Sequence, residues 1–303
     1  MEFPEGLQRR VVGVYGERGA EWWEALPGLV EEFAERWRLV LGQPYEVCSL
    51  SYVVRAVRAD GARVVLKLSV PEPWVADEAA ALSFFGGRGA VRLEAVEAAR
   101  GALLLERAEP GDHLARLCER DDRAATIVAA GVMRELCRTA PDGHALPRLA
   151  KWLEWLGGGD SESVPRALRA ACGEARAVVR ELSADDAEEV LLHGDLHHFN
   201  IVAATREPWL AVDPKGLVGP REAEAAALLR NPRSFLLARA DRVSVVARRI
   251  RLLAEELSAE AEVLRGWGYA LAVLAAWWGF EEGEEAEWSA WLECAATIKS
   301  ARD

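Results

Sequence analysis

An apolar run, Val190-Leu191-Leu192, leads into His193-Gly194-Asp195. Asn200 follows, and a second aspartate, Asp213, closes another apolar run from Trp209 to Val212. Two carboxylates and a carboxamide at one end of a few strands could carry out phosphoryl transfer from a magnesium nucleotide. One carboxylate would orient the attacking hydroxyl and accept its proton. The other, with the carboxamide oxygen, would hold the metal ions that bridge the phosphates. Short apolar runs separated by turn residues predict strand, tight loop, strand, turn and strand, with the three polar groups together. His193, His197 and His198 have a spacing that zinc could use, but the oxygen donors already explain the stretch as a hard-cation site. A purely structural hairpin would need none of them.

The elements that must position these groups can be read from periodicity. Residues 5–20 and 26–40 read as helices, the second with Leu26, Val30, Phe33, Trp37 and Val40 on one apolar face and Gly42-Gln43-Pro44 as its stop. Strands are expected at 45–50, 51–59 and 63–69, with Asp60-Gly61 turning the last two into a hairpin. A helix starts near Trp74, and strands follow at 91–95 and 101–107. Ala108-Glu109-Pro110-Gly111 breaks the pattern and divides the chain into 1–108 and 109–303. The second part reads as mostly helical, near 112–119, 121–139 (with Ile127, Val128, Val132 and Leu136 as its apolar stripe), 146–157 and 163–183. Pro147 should sit in a first turn, and Gly157-Gly158-Gly159 should end that helix. After the 189–219 stretch come helices at 221–240, 242–257, 259–278 and 284–300. The class is α+β: a small five-stranded antiparallel lobe followed by a mostly helical one.

Composition bounds the partners. The chain has 303 residues and a net charge of −12, which disfavours nucleic acid or an anionic membrane and suits a cationic small molecule. Five scattered cysteines without a C-x-x-C pair read as reduced thiols in a cytoplasmic protein. The N-terminus lacks a signal-peptide pattern, and no apolar run is long enough to span a bilayer. A monomer is expected.

H-G-D-x-x-x-x-N resembles the protein-kinase catalytic loop H-R-D-x-x-x-x-N, with Gly194 in place of the arginine. HGDLHHFN with AVDPKGLVG most resembles the aminoglycoside phosphotransferase family, in its streptomycin 6-kinase and hydroxyurea-resistance kinase branch. The resemblance implies a two-lobed, protein-kinase-like fold using ATP and Mg2+. Asp195 is then the catalytic carboxylate, and Asn200 and Asp213 the metal ligands. Pro214 should bias Asp213 towards extended backbone. Asp213-Pro214-Lys215-Gly216 replaces the D-F-G of protein kinases, and Lys215 would help organise phosphate or substrate.

Val64-Val65-Leu66-Lys67-Leu68 looks like the V-A-I-K strand, whose lysine reaches nucleotide phosphates. The chain holds only four lysines against thirty-three arginines, so a generic surface cation here would have been arginine. Once buried, Lys67 needs a partner, and Glu78, in the helix after Trp74, is the candidate, with Asp77 as the alternative. By the same resemblance, backbone at Ser49 and Ser51 covers the phosphates without a G-x-G-x-x-G. The hinge backbone at Glu106, Arg107 and Ala108 would bond the adenine edge. Acceptor contacts are expected from His198, Glu222, Glu224, Glu281 and Glu282, since guanidinium groups call for carboxylates. His197 faces either the acceptor or the loop interior, and Trp277 and Trp278 either core or pocket wall. The resemblance thus implies a kinase for an aminoglycoside-type antibiotic, streptomycin at its 6-hydroxyl first. Hydroxyurea, an amino sugar or a metabolite are alternatives, and a catalytically silent nucleotide-binding protein is a rival of another class.

Overall fold

The structure, a computed structural model, describes residues 3–4, 6–46, 49–140, 143–183 and 189–302. Val47 and Cys48, in the strand expected over 45–50, lie outside the described residues. The chain divides into two compact units, Met1–Glu109 and Pro110–Asp303.

In the first unit, α1 (Leu7–Tyr15) and α2 (Glu17–Arg36) precede a sheet of β1 (Leu39–Pro44), β2 (Ser51–Arg58), β3 (Arg63–Ser69), β4 (Leu93–Glu97) and β5 (Ala102–Glu106). Its order is β1-β2-β3-β5-β4, and every pair is antiparallel. Leu26, Val30 and Phe33 of α2 pack on Tyr52, Val54, Leu66 and Leu68 of the sheet, so the predicted helix face is real as far as Phe33. Beyond it the expectation fails. Arg38 takes a left-handed φ of 53°, and the chain leaves it as the edge strand β1. Strand alternation then sends Leu39 inward and leaves Val40 exposed. Gly42-Gln43-Pro44 is no helix stop but the irregular end of that edge, where proline is tolerated and the register to β2 shifts. The first strand is therefore 39–44, not 45–50. Asp60 Oδ1 accepts the Ala62 N–H at 3.0 Å and so closes the β2–β3 hairpin. Between β3 and β4, α3 (Pro73–Phe85) opens with proline at its first position.

The second unit begins with β6 (Pro110–His113), which pairs with β9 and takes the first two positions of the helix expected over 112–119. There follow α4 (Ala115–Arg120), α5 (Asp122–Leu136), β7 (Arg138–Thr139), α6 (Leu149–Leu153) and α7 (Arg166–Leu182). The central stretch forms β8 (Glu189–Leu192), β9 (Ile201–Ala204), β10 (Trp209–Ala211) and β11 (Leu217–Pro220). These build two three-stranded sheets, β10-β9-β6 and β11-β8-β7, and residues 193–200 run from one to the other. Pro147 does not open a helix. Its carbonyl accepts the Val218 N–H and extends the β11 edge instead. The triple glycine lies within a 3₁₀ stretch, and a side chain at Gly158 would meet Trp277 at 2.4 Å, so a close ring contact accounts for it.

The helix expected over 221–240 is a 3₁₀ turn (Arg221–Ala225), α8 (Ala226–Leu229) and α9 (Arg233–Leu237). It is interrupted at Asn231-Pro232, where proline has no N–H to continue the ladder. Then come α10 (Arg242–Leu257), α11 (Ala261–Glu281) and α12 (Glu285–Ser300), with α11 buried along most of its second half. Ile127, expected on a core stripe, is exposed, whereas Val132 and Leu136 are buried.

Arg249 on α10 is fully buried. It donates to Asp122 Oδ1 at 2.6 and 2.8 Å and to the carbonyls of Leu228 (3.0 Å) and Asn231 (2.6 Å). It thereby ties α5, α8 and the Asn231 turn to one point. Asp122→Ala should cost about 3–5 kcal/mol, because it leaves a buried guanidinium without its counter-charge. Urea unfolding measures this, and a loss below 1 kcal/mol would mean that water replaces the carboxylate.

Candidate active site

In the first unit, Lys67 Nζ lies 2.7 and 2.8 Å from the two carboxylate oxygens of Glu78, and both residues are buried. The Trp74 ring lies 5.9 Å from the ammonium. Glu78, not Asp77, is thus the partner. The Ser51 hydroxyl is buried against that of Ser69 at 2.8 Å, and Ser51 pairs with Ser69 at the end of the β2–β3 ladder. Ser49 is exposed, and its carbonyl accepts from Arg10. Glu106 binds the Arg92 N–H through its carboxylate, and Arg107 pairs with Glu109. Ala108 is half-buried beside them.

In the second unit, the 193–200 loop is organised by hydrogen bonds to its own backbone. Gly194 takes a φ of 81°, and a Cβ there would lie 2.9 Å from Leu217, which is why glycine stands where protein kinases carry arginine. Glu224, in the 3₁₀ turn after β11, is buried and accepts the N–H groups of His193 (2.6 Å) and Gly194 (3.1 Å). His193 receives the Asp195 N–H on Nδ1 (3.3 Å) and donates from Nε2 to the Val212 carbonyl (2.9 Å), so both ring nitrogens are spent on the backbone. Burial pushes its imidazole down to about 4, and the ring stays neutral.

Asn200 Nδ2 donates to the Asp195 carbonyl at 3.0 Å, which turns its Oδ1 away from that bond. Asp213 pairs with Lys215 Nζ at 3.1 Å and has a φ of 61°, so the extended backbone expected before Pro214 is wrong. A non-glycine residue in that region stores strain, held here by the Lys215 N–H bonded to the His193 carbonyl at 2.7 Å. Asn200 and Asp213 offer only oxygen donors, which fits a hard divalent cation such as magnesium and not zinc.

Asp195 lines a pocket of about 280 Å³ with His197, Arg230, Trp278, Glu282, Glu287 and Trp291. Trp278 is pocket wall, whereas Trp277 is core. Of the acidic residues expected there, Glu282 is present. Glu281 is exposed outside that lining, and Glu222 pairs with Arg221 beside a separate cavity behind β8. Glu224 does not face an acceptor, since it holds the catalytic loop from beneath. His198 is also corrected. It is fully buried, within 4.8 Å of Cys118 and Asp122, and neither ring nitrogen has a hydrogen-bond partner. Arg249 already bonds both Cys118 and Asp122 there, filling the place of a cation. Arg230 escaped the sequence reading. Arg230 is a helix-end arginine like many others, and only a Glu287 paired with Arg233 at 2.5 and 2.7 Å signals a structured wall.

The family profile described as aminoglycoside/hydroxyurea antibiotic resistance kinase matches residues 36–283. The chain belongs to this family. A hydroxyurea phosphotransferase from Kitasatospora aureofaciens is 38% identical over 94% of this chain and 82% of its own length. A streptomycin 6-kinase from Streptomyces glaucescens is 35% identical over 94% of this chain and 93% of its own. Among solved structures, aminoglycoside phosphotransferase APH(4)-Ia matches with a TM-score of 0.63 at 14% identity, covering 92% of this chain and 100% of that one. A choline/ethanolamine kinase family protein from Mesorhizobium loti gives 0.62 at 15% identity, covering 89% and 99%. These structural likenesses establish the protein-kinase-like α+β fold. This antibiotic resistance kinase therefore transfers a phosphoryl group from ATP to the hydroxyl of a small molecule.

Burial pushes the Glu224 carboxyl up to about 7; the two backbone hydrogen bonds oppose the rise and the charge of Asp195 adds to it. The folded state therefore keeps a proton that the unfolded chain releases near 4.5, and Glu224's contribution to stability falls as pH rises from 4.5 to about 7. His193, pushed down to about 4 from 6.5, contributes the opposite slope. Glu224→Gln should remove only the first. The unfolding free energy of the variant minus that of the wild type should rise by on the order of 3 kcal/mol across that window. A pH-independent difference would mean that Glu224 is ionised throughout.

Proposed function

We propose that this enzyme moves the γ-phosphoryl of Mg-ATP to an alcohol of a cationic aminoglycoside-type antibiotic, streptomycin at its 6-hydroxyl being the first candidate. The observation that carries it is Asp195 at the floor of a pocket walled by Trp278, Trp291 and Glu282. A tryptophan face and a carboxylate suit a sugar or cyclitol ring bearing guanidinium groups. The full-length similarity to a streptomycin 6-kinase supports the same acceptor. Hydroxyurea is the second reading, favoured by the 38% identity to a hydroxyurea phosphotransferase. It is far smaller than a 280 Å³ pocket, which would leave most of the wall without a partner.

In this mechanism Asp195 orients the acceptor hydroxyl and accepts its proton as the oxygen attacks phosphorus. A carboxylate is a weak base, so positioning carries most of the effect. Lys67, held by Glu78, binds the nucleotide phosphates. Asn200 and Asp213 would hold magnesium, which when bound neutralises charge on the phosphates. Lys215 keeps the strained Asp213 aimed. The hinge backbone at 106–108 takes the adenine edge. The reaction draws on ATP, so we infer a cytoplasmic enzyme, and we take it to act as a monomer.

Coupled ADP release with Mg-ATP, screened over streptomycin, other aminoglycosides, hydroxyurea and simple amino sugars, tests this. Streptomycin should stimulate release, and Asp195→Asn should lower it by roughly 10²–10⁴-fold while nucleotide still binds. Stimulation by hydroxyurea alone would replace the first reading with the second, and undiminished turnover in Asp195→Asn would remove the mechanism.

A further inference from the structure

Each carboxylate oxygen of Asp195 faces a different cation or donor. Arg230 Nη2 lies 3.7 Å from Oδ1, and His197 Nε2 lies 3.7 Å from Oδ2. The Phe199 N–H donates to His197 Nδ1 at 3.2 Å, so the ring proton is on Nε2, directed towards Asp195. The ring is fixed from further sides as well. Phe199 meets it edge-on at 6.0 Å, and the Phe199 carbonyl is bonded to His113 Nδ1 at 2.7 Å. A separation of 3.7 Å is too long for a good hydrogen bond, yet an oxygen placed to one side of the line joining Nε2 and Oδ2 can lie about 2.8 Å from both. Both groups line the acceptor pocket.

We propose that the acceptor hydroxyl docks at Oδ2, with His197 Nε2–H donating to its oxygen, while Arg230, 3.7 Å from Oδ1, supplies the counter-charge on the other side of the carboxylate. This deepens the kinase reading and rests on it. The hydroxyl then gives its proton to Asp195 and engages one lone pair with His197. The remaining lone pair is aimed at phosphorus. The O–P bond forms as the bond from the γ-phosphorus to the bridging oxygen breaks, and that electron pair leaves with the nucleoside diphosphate. His197 is thus an acceptor-positioning residue that touches the reacting oxygen. Its neighbour His198 faces the buried Cys118–Asp122–Arg249 cluster instead.

The test compares His197→Ala, His197→Asn and His197→Gln, using whichever acceptor the wild type phosphorylates. A glutamine amide reaches the Nε2 position, and an asparagine amide does not. Ala and Asn should lower kcat/KM for the acceptor by about 10²-fold, a misplacement effect, with the KM for ATP unchanged. Gln should restore most of that loss. Calorimetry should show weakened acceptor binding in Ala and Asn but equal binding of the deoxy analogue lacking the phosphorylated hydroxyl. The Asn and Gln pair keeps the test decisive should Ala not fold. Equal impairment in all variants, or weakened binding of the deoxy analogue, would overturn the contact. A wild type inert towards every acceptor would instead overturn the acceptor assignment on which the contact depends.

Discussion

The 193–200 loop is held by one buried carboxyl group. Glu224 takes the N–H groups of His193 and Gly194, two donors that would otherwise be orphaned under the loop. Burying such donors unpaired costs roughly 1–3 kcal/mol each, so the loop has a strong reason to keep this path. The left-handed turn at Gly194 follows, then the His193 ring bonded to both the Asp195 N–H and the Val212 carbonyl. Asp195 and Asp213 are thereby referred to one imidazole. The Asn200 amide, bonded to the Asp195 carbonyl, completes a loop whose functional side chains hang from fixed backbone.

Two buried ion pairs serve different ends in the two units. Asp122–Arg249 has its remaining guanidinium protons satisfied by carbonyls of Leu228 and Asn231, a closed arrangement that defines how α5, α8 and α10 meet. Lys67–Glu78 joins a compact ammonium on strand β3 to both carboxylate oxygens of a glutamate on α3. A compact ammonium with three donors can exchange or share a partner more readily than a guanidinium locked into several bonds.

Much of this was legible in sequence, for identifiable reasons. The strands from 51 to 107 carry long apolar alternation and one Asp-Gly turn, so local pattern and tertiary need agree. The site motif gave Asp195, Asn200 and Asp213 because spacing is a local property. What stayed hidden depends on direction. Trp37 and Val40 continue a helical stripe on paper, but a left-handed Arg38 ends it. Residues 221–240 look helical until Pro232 breaks the ladder. Glu222 and Glu224 are equivalent in sequence, yet one lies against Arg221 at the surface and the other beneath the loop. His197 and His198 are adjacent, and successive side chains there point to opposite sides of the loop, one to the pocket and one to the core.

Charge in the acceptor pocket is local and does not follow the chain's net −12. Burial pulls the Arg230 guanidinium below its ordinary value, while Asp195 pulls it back up, so the cation is retained by the carboxylate it faces. Arg233 stacks over Trp291 at 4.5 Å and ties up Glu287, which removes one acidic group from contact with an acceptor. Glu282, at the exposed edge, remains the carboxylate placed to meet an arriving cation. For the proposed cationic acceptor, Glu282 would attract the molecule to the mouth, and Arg230 beside Asp195 would repel its cationic groups from the reacting end. Orientation would follow from that polarity: a guanidinium or ammonium would stay at the mouth, and a hydroxyl would be the group free to reach Asp195.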